Sequence, residues 1–140
     1  MKKALVFFSV LGLAACGGGG SSPSSPSPTP TPFVMSGNYA GTVQDSVCGN
    51  GAVQMSAVET DTSVSGTWAA QWPNCGSNAG QLSATVQGQA LSAKLTPSDP
   101  TTCPFNLTGV LSGGGAAVSG TYASYNCTTV ISGTFSMTRQ

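Results

Sequence analysis

From Gly37 to Arg139 apolar and polar residues alternate in short runs, and clusters of Gly, Asn, Asp and Pro separate the runs. A period of two puts every second side chain on one face of an extended strand, so each run reads as a β-strand with one buried face. Nothing in this part of the chain repeats apolar residues at helical spacing. The pattern predicts eight strands, at approximately residues 37–44, 52–59, 62–72, 80–87, 90–96, 103–111, 116–124 and 128–138.

Parity assigns a core of Tyr39, Val43, Val53, Met55, Trp68, Trp72, Leu82, Val86, Leu91, Leu95, Phe105, Leu107, Leu111, Val118, Tyr122, Ile131, Phe135 and Met137. Three strands share a motif: Val64-Ser65-Gly66-Thr67-Trp68, Val118-Ser119-Gly120-Thr121-Tyr122 and Ile131-Ser132-Gly133-Thr134-Phe135. Each copy puts an apolar residue, Gly and an aromatic on one face and Ser and Thr on the other. A glycine at such a position permits the sharp coiling that closing a sheet requires.

Tight connections, such as Thr60-Asp61, Gly88-Gln89 and Gly113-Gly114-Gly115, alternate with segments that read as longer and that contain or border Cys48, Cys75, Cys103 and Cys127. In an up-and-down meander alternate connections lie at the same end, so all four cysteines are expected at one end. Eight antiparallel strands bury their two edges by closing into a barrel. The expected fold is therefore all-β, an eight-stranded antiparallel up-and-down meander barrel, with a β-sandwich as the alternative. The short Gly-Thr-Trp and Gly-Thr-Tyr strands resemble those of avidin and lipocalin-like small barrels, although Gly37-Asn38-Tyr39 stands where lipocalins carry Gly-x-Trp.

The first residues change the picture of where such a domain works. Lys2 and Lys3 precede an apolar run, residues 4–15, that ends in Leu13-Ala14-Ala15-Cys16. The run is too short for a bilayer span, which takes about 20 residues, and has the form of an export signal. Leu13-Ala14-Ala15-Cys16 resembles the lipobox of bacterial lipoprotein precursors, which signal peptidase II cuts before a cysteine that carries lipid. The resemblance implies that residues 1–15 are a signal peptide and that Cys16 is the lipidated first residue of the mature protein. Palmitate-type acyl chains would then anchor it in a bacterial cell envelope. Gly17 stands where aspartate retains enterobacterial lipoproteins at the inner membrane, so the outer membrane is expected. Two or more acyl chains make an anchor durable where one does not.

Residues 17–32 carry only Gly, Ser, Pro and Thr, have nothing to bury and read as a tether reaching at most roughly 50 Å. The organisation is thus residues 1–15 as signal, 16–32 as lipidated cysteine and tether, and 33–140 as the all-β domain.

Charge narrows the function. Beyond the signal the chain carries Lys94 and Arg139 against Asp45, Glu59, Asp61 and Asp99, too few cations for nucleic acid. The chain contains no histidine, which removes Ser-His and Cys-His machinery. Glu59 and Asp61 flank a tight turn, whose geometry explains Asp61 without catalysis. The expectation is a protein that is not an enzyme and takes no cofactor and no metal.

Five cysteines become four once Cys16 is given to lipid, an even number suited to disulfides in an exported protein and without any Cys-x-x-Cys spacing for zinc. Cys48 with Cys75 and Cys103 with Cys127 close shorter loops than Cys75 with Cys103 and Cys48 with Cys127, and are preferred for that reason. Trp68 is expected in the core. Trp72, beside Pro73 and Cys75, falls at the barrel mouth together with Phe105, with Tyr122 just below. These three are the candidate ligand contacts, with Asn74, Asn78 and Tyr125 adding polar specificity. The expected partners are a membrane, through Cys16, and a small molecule or envelope polymer at this mouth. The competing account is a filled barrel whose aromatics plug the end and whose Ser/Thr-rich outer surface meets another envelope component.

Overall fold

The computed structural model describes residues 32–140, so Leu13, Ala14, Ala15 and Cys16 lie outside the described residues, as does the tether up to residue 31. Eight strands follow in order: β1 (Gly37–Asp45), β2 (Gly49–Thr60), β3 (Ser63–Trp72), β4 (Gly76–Gln87), β5 (Ala90–Pro97), β6 (Phe105–Ser112), β7 (Ala117–Ser124) and β8 (Ser132–Arg139). Each pairs antiparallel with the next, and β1 closes the ring on β8, from Tyr39 opposite Arg139 to Asp45 opposite Gly133. The fold is a closed up-and-down barrel, and the two-sheet alternative is set aside. Closure leaves no strand with unpaired backbone along an edge.

Every side chain that parity turns inward belongs to the core or packs against it, and Val64, Ala57, Ala70, Ala84 and Ala93 complete the interior. The shared motif has a packing reason. Trp68 lies opposite Gly80, Tyr122 opposite Gly133 and Phe135 opposite Gly120 on the neighbouring strand, so a glycine makes room for each large ring. Strands also approach very closely at these places: a β-carbon on Gly120 would stand 2.0 Å from the Thr108 carbonyl oxygen. This is the pairing of aromatics with glycine that tightly coiled sheets use.

The outer wall is the inverse. One exposed row runs across seven strands from Gln44 through Thr134, Thr121, Thr108, Ser92 and Thr85 to Ser63, each opposite the next. The Thr108 and Thr121 hydroxyls are hydrogen-bonded across it at 3.2 Å. The row is polar throughout, whereas a barrel crossing a membrane turns apolar side chains outward.

The connections at the cysteine end differ from expectation in one respect. Only residues 98–104 and 125–131 form long loops there, while residues 46–48 and 73–75 are short turns. The reason is the glycine that follows each cysteine: Gly49 (φ 74°) and Gly76 (φ 77°) adopt the left-handed conformation and start β2 and β4 early. A turn followed by such a residue is a standard hairpin closure.

The opposite end is stoppered by the segment that enters β1. Met35 is fully buried and Phe33 packs against the core. The Met35 amide donates to a Glu59 carboxylate oxygen, and the Glu59 amide donates to Ser36 Oγ at 2.9 Å. Arg139 donates to the Val34 carbonyl and, at 3.0 Å, to the Tyr39 hydroxyl, which itself donates to the Gly115 carbonyl at 2.7 Å. The Val34 carbonyl oxygen lies 2.0 Å from where a β-carbon on Gly115 would stand, so only glycine fits under the stopper.

Candidate functional site

The disulfides place the candidate site at the other end. Cys48 in the β1–β2 turn pairs with Cys75 in the β3–β4 turn, with Cα atoms 5.6 Å apart, and Cys103 pairs with Cys127 across the two long loops at 6.0 Å. These are the connections with the shorter loops. Each ties two hairpins together around one rim, away from the stopper and from both Phe33 and Gln140.

Beneath that rim lies a cavity of about 50 Å3, lined by Val43, Val53, Met55, Trp68, Trp72 and Leu95 on one side and Phe105, Tyr122 and Phe135 on the other. The fold brings together all three candidate contacts. Phe105 and Tyr122 are buried, while Trp72, Val53 and Leu95 are only partly covered and form the opening. Trp68 meets Phe105 edge-to-face, with ring centroids 6.3 Å apart, and Phe105 meets Tyr122 in the same way at 5.7 Å. Edge-to-face pairing lets positive ring edges meet negative ring faces and holds the row in place. Trp72 lies across Gly51, whose missing side chain leaves space for the indole: a β-carbon there would stand 2.7 Å from Trp72 Cδ1.

Asp45 holds this end together and was not singled out in the sequence. It continues the inward parity of Val43 and is buried, with 7% of its surface exposed. Its Oδ1 accepts from the amides of Val47 (2.8 Å) and Cys48 (2.9 Å), which fixes the turn bearing the first disulfide. Its Oδ2 accepts from the Tyr122 hydroxyl at 2.7 Å. The signal lay in the aspartate itself, since Asp at the end of a strand commonly accepts from amides two and three residues on. Burial, and then the hydrogen bond to Asp45 and its negative charge, push the Tyr122 phenol well above the ordinary tyrosine range.

The Nε1 atoms of Trp68 and Trp72 are buried and make no hydrogen bond. Asn74, Asn78 and Tyr125, expected to add polar specificity, do not line the cavity. They stay exposed or half-exposed, where water hydrates their polar groups. What the cavity offers is therefore shape and apolar contact.

Among the described residues no cluster of three or more His, Cys, Asp or Glu could hold a metal ion. Glu59, one of the two neighbouring carboxylates, holds the stopper at the far end, and Asp61 is exposed in the left-handed conformation (φ 57°) that its turn requires. A wider depression of about 670 Å3 runs over the outer wall between Asn38, Gln54, Thr67 and Gln81.

No protein-family model matches the chain, and no curated protein matches it.

Proposed function

We propose that the chain is a non-enzymatic lipoprotein of a bacterial cell envelope, most simply of the outer membrane, which presents the barrel mouth to a small or polymeric partner. Acyl chains on Cys16 anchor it and residues 17–32 space it from the membrane. The observation that carries the binding part is the cavity under the disulfide rim, where Trp72, Phe105 and Tyr122 meet. Its position supports the anchored part too: the chain enters the barrel at the stoppered end, so a tether attached there leaves the mouth directed away from the membrane.

A second reading is favoured by the small size of the cavity beside the larger depression of mixed polarity on the outer wall. In it the barrel is filled and the Ser/Thr surface carries the interaction.

Cys16→Ser tests the anchor, because the thiol is the acceptor of lipid. In a bacterial host grown with a fatty-acid probe, the wild-type chain is expected to take up label and the variant to lose it entirely. Equal labelling of the two would refute the assignment.

A further inference from the structure

We infer that the cavity takes the end of a linear alkyl chain, so that the ligand class at the mouth is a neutral single-chain amphiphile. This deepens the proposed function and rests on the mouth being the binding end.

The walls choose the chemistry. The indole N–H groups of both tryptophans that border the cavity are unpaired but buried with no surface open to it, and the Tyr122 hydroxyl is already committed to Asp45. A polar group entering would lose its hydration without gaining a partner. Water fares no better, since a buried water needs two to four polar partners.

Size selects the shape. An apolar cavity of roughly 150 Å3 holds benzene, and this one is about 50 Å3. A tapering chain end enters where a ring does not.

The rim then supplies a path for the carbons that follow. Val53 and Leu95 are partly covered at the opening, Ile131 is partly covered just before β8, and Val47 and Val130 stand 65% and 67% exposed in neighbouring connections of the same rim. The turn carrying Val47 is held to the start of β8, just past Val130, by the Ser46 amide donating to the Ser132 carbonyl at 2.8 Å. Charge selects the head group. The only cations of residues 32–140 are Lys94, exposed on the outer wall of β5, and Arg139, engaged at the stoppered end, whereas Asp45 and Asp99 lie at the mouth. A carboxylate head meets repulsion there, and an alcohol or ester does not.

The chain has only two tryptophans, and both border the cavity, so selectively excited tryptophan fluorescence reads this site. The mature chain, residues 16–140 with Cys16→Ser, purified without detergent, is titrated with n-alkanols from butanol to octanol, with octanoate and with cyclohexylmethanol. The expected result is a saturable shift with affinity rising about fourfold per methylene, octanoate weaker than octanol, and cyclohexylmethanol weaker than hexanol. Ala70→Leu, which fills the cavity, should weaken octanol about tenfold, and Ala70→Val serves if the larger side chain prevents folding.

The inference is overturned by no saturable change, by a ring binding as tightly as the chain, or by octanoate binding more tightly than octanol. A shift on phosphatidylcholine vesicles alone would assign the alkyl chain to a bilayer and overturn the single-chain amphiphile. None of these alters fatty-acid labelling of Cys16, and failure of that labelling leaves the alkanol series unchanged, so the two claims fail separately.

Discussion

The two ends of this barrel are closed by opposite means. At one, the chain itself is the stopper: Met35 is buried among core side chains, and Glu59, Arg139 and the Gly114 carbonyl take up the backbone groups that come with it. At the other no segment enters. Disulfides and the Asp45 network brace the rim from outside, and the space beneath is left to aromatic rings and a small cavity. A stopper made of main chain brings amides and carbonyls that must be satisfied, which is why charged side chains gather there. A mouth braced by covalent bonds needs no such filling and can remain apolar. The difference leaves the mouth the more open and the more apolar of the two ends.

The largest expected effect that would sharpen this contrast comes from the braces. Replacing Cys48 and Cys75 together by alanine, or Cys103 and Cys127 together, removes a cross-link across sequence separations of 27 and 24 residues. Each replacement should cost about 3 kcal/mol, measured by urea unfolding. The stopper should be unaffected, and amide exchange of Met35 should slow or quicken only with global stability. Selective exposure of Met35 would show that the two ends are not independent.

Glu59→Ala should cost about 2 kcal/mol, because it strands the Met35 amide in a partly buried place. The expected signature is local: faster exchange at Met35 with Trp72 fluorescence unchanged. A shifted tryptophan spectrum would contradict the separation.

Tyr122→Phe is smaller at neutral pH, about 1 kcal/mol, and removes one of the three donors to Asp45. Its pH dependence carries more information. The phenol's proton is held more tightly in the folded than in the unfolded chain, so its stabilisation is complete below the unfolded tyrosine pKa of about 10 and is lost as pH rises beyond it. Wild-type stability should therefore fall more steeply above pH 10 than that of Tyr122→Phe. Parallel slopes would remove the Asp45 pairing from the account.

Much of the barrel could be read from alternation alone, because a period of two is the direct imprint of one wet and one dry face. Residues that obey parity and are apolar, such as Leu82 and Val118, were legible. Residues that obey parity and are small or polar were less so: Ala84 and Asp45 turn inward without looking like core. The stopper was illegible for a different reason. Phe33-Val34-Met35 follows a proline-rich tether and has no period, and its burial depends on the barrel end it meets. The turns ending at Cys48 and Cys75 were misjudged because a glycine inside a strand start reads as a loop. Trp72, Phe105 and Tyr122 came together as expected, since parity and strand order suffice to place them. The cavity's apolar character did not follow from sequence, because Asn74, Asn78 and Tyr125 lie close along the chain and yet remain outside it.

The most direct test of the contrast between a stoppered end and an open one is the unfolding free energy of Met35→Ala and Trp72→Ala, measured side by side in urea. Met35 fills its end completely, so its truncation should cost about 3 kcal/mol, whereas half-covered Trp72 should cost about 1 kcal/mol. A loss of 3 to 5 kcal/mol for Trp72→Ala, matching a fully buried aromatic, would contradict the account and make the mouth a second plug.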